Sequence, residues 1–259
     1  MSQLIEQLIL KFPNTSKSTL KKWMKGGRIL VNGQKKTHTD QMVSEIDTIT
    51  LRKKQTFLDL SIEVLYQDRT LIVINKPEGL LSVATAFQAE ETAHAVLKKK
   101  FRRVFPVHRL DRETSGVMVF ALSKEGREGL KTQFQMHTVY REYHAIVRGK
   151  LDGTGTWESH LLEDAQYFVR AHSQGQLAIT HYTVLQQRKK TTAVQFVLQT
   201  GKKNQIRAQA FEKGYPILGD QKYGDFPNKR LYLHAYALDF THPITGKKMS
   251  FRSPTPFQV

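Results

Sequence analysis

His108-Arg109-Leu110-Asp111-Arg112-Glu113-Thr114-Ser115-Gly116 runs directly into an apolar, β-branched and aromatic segment at residues 117 to 122. That segment reads as a strand, because such side chains fit a pleated, half-buried surface. The Thr-Ser-Gly ahead of it is poor helix material, so the nine residues read as a loop that delivers a strand. One carboxylate, Asp111, stands between Arg109 and Arg112. Two close cations would favour its charged form and depress its pKa, which suits a nucleophile or base better than a proton donor. Glu113 is expected to point to the opposite face, which sets aside a paired-carboxylate glycosidase.

Composition narrows the class of molecule. A chain of 259 residues, 39% hydrophobic, can bury the core of one large domain or of a large and a small one. Forty Lys and Arg against 23 Asp and Glu leave a net charge of +17, which makes a polyanion the default partner. No apolar run approaches the roughly 20 residues of a spanning helix, so no membrane role is expected. The first twelve residues carry Gln3, Glu6 and Gln7 with no basic stretch ahead of their leucines, unlike a secretory signal. The absence of cysteine excludes a disulfide framework, a thiolate nucleophile and a Cys-based zinc site. The ten histidines include no His-x-x-x-His pair, and the chain contains neither a P-loop nor a dinucleotide fingerprint. A cytoplasmic, monomeric protein that faces a nucleic acid and uses no metal or cofactor is expected.

Before the catalytic loop the chain reads as a small basic module. Leu4, Ile5, Leu8 and Ile9 recur at helical spacing, Pro13 to Ser16 breaks the helix, and a second helix is expected over residues 17 to 24. Its polar face carries Lys17, Lys21, Lys22 and Lys25, and Gly26-Gly27 should stop it. Arg28 then opens a strand that turns at Asn32-Gly33. Through residue 58 there are eleven basic and four acidic side chains, and Arg52-Lys53-Lys54-Gln55 is the candidate linker. A domain of residues 1–58 followed by one of residues 59–259 is expected.

The remainder reads as short strands with intervening helices. Runs at 63–66 and 71–74, separated by Gln67-Asp68-Arg69, suit a hairpin, and Asn75-Lys76-Pro77-Glu78-Gly79 ends its second strand. Helices are expected over 90–100 and, capped by Ser123, over 124–136. Alternation at 139–147 and between 151 and 200, with Val194, Phe196 and Leu198 on one face, predicts a mainly antiparallel sheet.

Taken together, these strings resemble the RluA-type pseudouridine synthases. The Asp111 loop fills every fixed position of that family's His-Arg-Leu-Asp-Arg-x-Thr-Ser-Gly motif, and Asn75 to Gly79 is similar to its Asn-Lys-Pro-x-Gly loop. Arg141-Glu142-Tyr143 resembles Lys-x-Tyr. Thr200-Gly201-Lys202-Lys203-Asn204-Gln205-Ile206-Arg207 resembles Thr-Gly-Arg-x-His-Gln-Ile-Arg, with Lys202 for Arg and Asn204 for His. Pro216 to Gly224 is similar to Pro-x-x-Gly-Asp-x-x-Tyr-Gly. Ser16-x-Ser18-x-Leu20, Lys25 to Ile29 and Val31-Asn32-Gly33 resemble an S4 RNA-binding domain, although Ile46-Asp47 replaces the usual Gly-Asp turn.

The resemblance implies an α+β fold, an S4-like αα-hairpin module followed by a mixed, mainly antiparallel sheet with flanking helices. It implies catalytic Asp111, Tyr143 and Arg207, with Arg207 pairing to Asp111, and RNA contacts from Arg109 and Arg112 beside those of the N-terminal cations. The partner would be ribosomal or transfer RNA. Two other classes fit the charge: a non-catalytic RNA-binding protein, which has no need of Asp111, Tyr143 and Arg207 together, and a hydrolase of the same glycosidic bond, which would release free uracil.

Overall fold

The computed structural model describes residues 2–25, 28–35, 42–44, 46–51, 62–84, 92–224 and 230–258. These fall into two compact units, one formed by residues 2–51 together with Ala84, the other by 62–83 and 92–258. Gly26-Gly27, the linker at 52–55 and the boundary up to residue 61 lie outside the described residues.

In the first unit, β1 (Ser2–Gln3) leads into α1 (Leu4–Lys11) and α2 (Lys17–Lys25), followed by β2 (Ile29–Val31), β3 (Gln34–Lys35), β4 (Met42–Val43) and β5 (Ile49–Leu51). Leu4, Ile5 and Leu8 of α1 meet Leu20 and Met24 of α2 in one core with Ile29, Val31, Val43 and Ile49. Ile9, expected on that stripe, is 40% exposed, and the buried stripe of α1 consists of Leu4, Ile5 and Leu8. Asn32 and Gly33 both take positive φ, 51° and 80°, as a two-residue hairpin turn between β2 and β3 requires. At the departing turn, Asp47 accepts hydrogen bonds from Asn32 Nδ2 and Ser44 N, both at 2.7 Å. Side-chain acceptance thus organises the bend that glycine would otherwise make.

The second unit contains β6 (Glu63–Gln67), β7 (Leu71–Lys76), α3 (Ala93–Lys98), β8 (Phe105–Pro106), β9 (Ser115–Ala121), α4 (Lys124–Gln135) and β10 (Tyr140–Arg148). It continues with β11 (Thr154–Glu163), β12 (Val169–Ala171), β13 (Gln176–Gln187), β14 (Thr191–Leu198), α5 (Gln205–Glu212), β15 (Leu233–Thr241) and β16 (Lys248–Arg252). Eleven strands form one mixed sheet in the order β12-β11-β13-β14-β10-β15-β9-β7-β6, with β16 on β15 and β8 on β9. Every pairing is antiparallel except β15 with β9, which is parallel through His234–Ser115 and Ala235–Gly116. The predicted hairpin, the Ser123-capped helix and the antiparallel ladders are all present.

All of β9 is buried, so it forms the middle of the sheet rather than an edge. Gly116 (φ 118°) lies where a Cβ would enter the backbone of Ala235, so the parallel pairing demands glycine at the end of the Asp111 loop. The helix α5 was not evident in the sequence pattern. Six of its residues, 205 to 210, are buried, which leaves no amphipathic stripe to read. It is held instead by polar side chains: Gln205 Nε2 donates to Ile179 O (3.0 Å), Gln209 Nε2 to Ala178 O (3.0 Å), and Thr180 Oγ1 to Gln209 Oε1 (2.6 Å).

Candidate active site

Asp111 lies in the loop between β8 and β9, and neighbouring segments fix that loop by backbone and side-chain hydrogen bonds. Ser82 Oγ donates to Leu110 O (2.7 Å) and accepts from Leu110 N (3.0 Å), while Gly79 N donates to Arg112 O (2.8 Å). Lys76, fully buried at the end of β7, directs its ammonium at three carbonyls: Leu80 (2.8 Å), Pro77 (3.0 Å) and Arg112 (3.3 Å). Burial pulls its pKa down to about 7 against the opposing charges of Glu113 and Asp111. Residues 75 to 82 therefore brace the Asp111 loop.

The cation on Asp111 is Arg207 of α5, whose Nη1 stands 3.2 Å from Asp111 Oδ2 and 3.3 Å from Glu113 Oε2. The expectation that Arg109 and Arg112 would flank the carboxylate is corrected: Arg109 is exposed, and Arg112 donates from Nε to Gly79 O (3.1 Å). Adjacent residues in a tight loop diverge, whereas a helix from elsewhere can aim straight at the acid. The expected divergence of Asp111 and Glu113 is likewise corrected, since both reach the same guanidinium nitrogen. The chain bends there, with Thr114 N donating to Asp111 O at 3.2 Å, and the bend brings the two carboxylates to one side.

Arg207 itself is clamped. Its Nε and Nη2 each donate at 2.8 Å to the two oxygens of Asp220, which is 1% exposed. Burial works against the guanidinium's charge, but the Asp220 bonds, then Asp111 and Glu113, outweigh it and hold its pKa above the ordinary value. Asp220 Oδ1 also accepts from the backbone N of Lys222 (2.9 Å) and Tyr223 (3.1 Å). The two-pronged Asp220 contact leaves one nitrogen, Nη1, to present to Asp111. A second donor reaches Asp111 Oδ2 from Asn204 Nδ2 at 2.6 Å.

A family model described as RNA pseudouridylate synthase matches residues 70–211, a span that contains Lys76, Asp111, Asn204 and Arg207. The chain belongs to the RNA pseudouridylate synthase family. Ribosomal large subunit pseudouridine synthase D of Neisseria meningitidis serogroup A is 32% identical over 95% of this chain and 74% of its own length. The dual-specificity RNA pseudouridine synthase RluA of Haemophilus influenzae is 37% identical over 77% of this chain and 96% of its own. Among solved structures, human RNA pseudouridylate synthase domain containing 1 shares the fold with a TM-score of 0.66 at 23% identity, covering 80% of this chain and 88% of that one. The chain is an RNA pseudouridine synthase, an isomerase acting on uridine in RNA.

The other site residues expected from the sequence lie on β10, in the Asp111 loop and in the first unit. Tyr143 sits half-buried on β10, where burial pushes its phenol up to about 12, Arg141 opposing and Asp111 adding to the rise. Arg141, at the Lys position of Lys-x-Tyr, is buried and donates to Gln199 O (3.3 Å), and a Cβ at Gly201 would strike its guanidinium. His108 is no acid–base group: its Nε2 accepts from Val119 N (3.1 Å), its ring stacks on Phe134 at 4.5 Å, and burial lowers its pKa to about 3. In the first unit Lys17, Lys21, Lys22 and Lys25 are exposed, and Arg28 lies over the Trp23 ring at 5.0 Å.

Sequence reasoning missed the parts played by Asp220, Lys222 and Lys76. Asp220 and Lys76 lay inside quoted motifs, and the signal for each was an ionisable residue among apolar, Gly and Pro neighbours, a pattern that forces burial with a partner.

Proposed function

We propose that this synthase isomerises uridine in structured RNA with Asp111 as its one catalytic carboxylate. The observation that carries this reading is the asymmetric hold on Asp111: Oδ2 takes donors from Arg207 and Asn204, while Oδ1 takes none among the described residues. One oxygen anchors the group and the other is available to the substrate. Isomerisation breaks N1–C1′, turns the uracil while it stays bound, forms C5–C1′, and moves a proton off C5 while N1 gains one. Attack on C1′, proton removal at C2′ and stabilisation of an oxocarbenium all require an ionised acid beside the ribose, and an acid held by a clamped guanidinium meets that need. Arg207 supports the charge. Tyr143, a neutral phenol at pH 7, offers a ring on which the turning base can stack, worth about 1–3 kcal/mol.

The target base must leave its stack before reaction. Arg109, exposed beside the Asp111 loop, would occupy the vacated space and hold phosphates, with Arg112 beside it. The first unit, an αα-hairpin with a small sheet and a lysine-rich helix face, would serve as an S4-like RNA-binding domain covering residues 1–58, its contacts coming from Lys17, Lys21, Lys22, Lys25 and Arg28. The similar proteins named for large-subunit ribosomal RNA and for dual specificity favour ribosomal RNA as the substrate, with transfer RNA second. A cytoplasmic monomer fits this role.

The test is tritium release from RNA carrying 5-tritiated uridine, transcribed so that it lacks its own modification. Asp111→Asn should keep RNA affinity, since the side chains are nearly isosteric, and lose several powers of ten in turnover. Substantial release by Asp111→Asn would overturn the assignment, and free uracil among the products would indicate a hydrolase.

A further inference from the structure

Asn204 occupies the N-cap of α5, where an Asn side chain ordinarily turns back to accept from a free helix N–H. Here it makes no cap bond. Its backbone is left-handed (φ 52°, ψ 21°), a conformation that Asn tolerates better than most residues, and its side chain instead reaches across 93 positions to Asp111 Oδ2. The residue is 9% exposed, so both ends of the amide need protein partners. Oδ1 has one: Lys222 Nζ donates to it at 3.0 Å.

The two contacts together remove the usual ambiguity of an amide. An ammonium can only donate, so the end facing Lys222 must be the oxygen, and an ionised carboxylate can only accept, so the end facing Asp111 must be NH2. Lys222 is itself fixed, by Tyr167 O at 2.7 Å and by the rings of Phe168 and Tyr223 at 5.1 and 5.5 Å from its Nζ. It follows Asp220 by two residues, and its backbone N donates to the carboxylate that clamps Arg207. One short segment thus governs both donors on Asp111.

We infer that Lys222 and Asn204 form a positioning relay, in which the ammonium locks the Asn204 amide so that its NH2 holds Asp111 Oδ2 and leaves Oδ1 to the ribose. This rests on Asp111 being the catalytic acid. Lys222 acts through Asn204 and not by contact with RNA. Without Lys222 the amide can turn over, and the oxygen it would then offer to Asp111 repels a carboxylate.

The test is a double-mutant cycle on the full-length synthase, read as single-turnover rate at saturating RNA and, separately, as RNA dissociation constant. Asn204→Ala should slow the chemical step about ten- to hundredfold, the size of one hydrogen bond to a charged group, with affinity nearly unchanged. Lys222→Met should slow it to a similar extent, Lys222→Arg should restore most of the rate because guanidinium also only donates, and adding Lys222→Met to Asn204→Ala should cost little more. Multiplying losses in the double variant, or a Lys222→Met effect confined to the dissociation constant, would overturn the relay. Thermal melting of each variant identifies a folding failure, and Lys222→Arg then carries the comparison: a folded Lys222→Arg as slow as Asn204→Ala also overturns it. An inactive Asp111→Asn with unaffected Asn204 and Lys222 variants would sink the relay alone, whereas an active Asp111→Asn would sink the assignment beneath it.

Discussion

At the scale of the residue, the site is governed by how few ways a buried charge can be satisfied. Arg207 is 4% exposed, and without Asp220 its charge would lie buried and uncompensated; the two oxygens of Asp220 take two of its nitrogens and so decide where the third points. His108 shows the opposite solution, remaining neutral and accepting a backbone N–H. Its folded pKa of about 3 lies below the ordinary 6.5, so between those values the unfolded chain binds a proton that the folded chain refuses. The stability that His108 contributes by staying neutral is therefore fully present above about pH 6.5 and is lost as pH falls toward 3. His234, lowered to about 4 by burial, adds to the same slope. Urea unfolding of His108→Gln from pH 7 to 4 should show a shallower decline than the native chain. An unchanged slope would mean that His108 titrates normally in the fold.

At the scale of the element, β9 and α5 do the positioning. The strand places Asp111 at the one parallel seam of the sheet, and Gly116 permits that seam by letting the Ala235 backbone approach. An alanine at 116 would face both a disfavoured positive φ and a backbone clash, together about 2–6 kcal/mol, a large share of the roughly 5–15 kcal/mol that holds a typical domain. Gly116→Ala should lower the urea midpoint sharply and reduce activity in the fraction that folds; a native midpoint would refute the close approach. Helix α5 carries Arg207 and begins just after Asn204, and its tethering by Gln205 and Gln209 to β13 explains how these polar side chains are buried.

At the scale of the whole molecule, a surplus of seventeen positive charges is carried by a chain of two compact units. The lysines of α2 are exposed while Leu20 and Met24 of the same helix are buried, so the proposed RNA contacts would come from its solvent side. Phosphate contacts release counterions, so each one lost flattens the plot of log affinity against log salt by roughly 0.7–0.9. Replacing Lys21 and Lys22 by Gln in the full chain should lower that slope while leaving the single-turnover rate at saturating RNA intact. No change in slope would remove the helix from the RNA interface.

Much of this architecture was legible before any coordinates. The alternation of β14, the capped helix α4, the 63–76 hairpin and the Asn32-Gly33 turn follow from periodicity and turn chemistry, which are local, so neighbouring residues suffice to specify them. The importance of Asp111 was visible because an unusual motif surrounds it. The family resemblance also implied Arg207 as its partner, 96 positions away, and the two do meet at 3.2 Å. The contact from Asn204, 93 positions away, was not legible. Helix α5, the Asp220 clamp and the Lys222 contact depend on which polar groups meet inside a buried layer, and that is decided only when the sheet closes around them. Composition, local periodicity and motif identity belong to the sequence alone; the pairing of buried charges belongs to the tertiary structure, because desolvation makes each such group seek a partner wherever in the chain the fold supplies one.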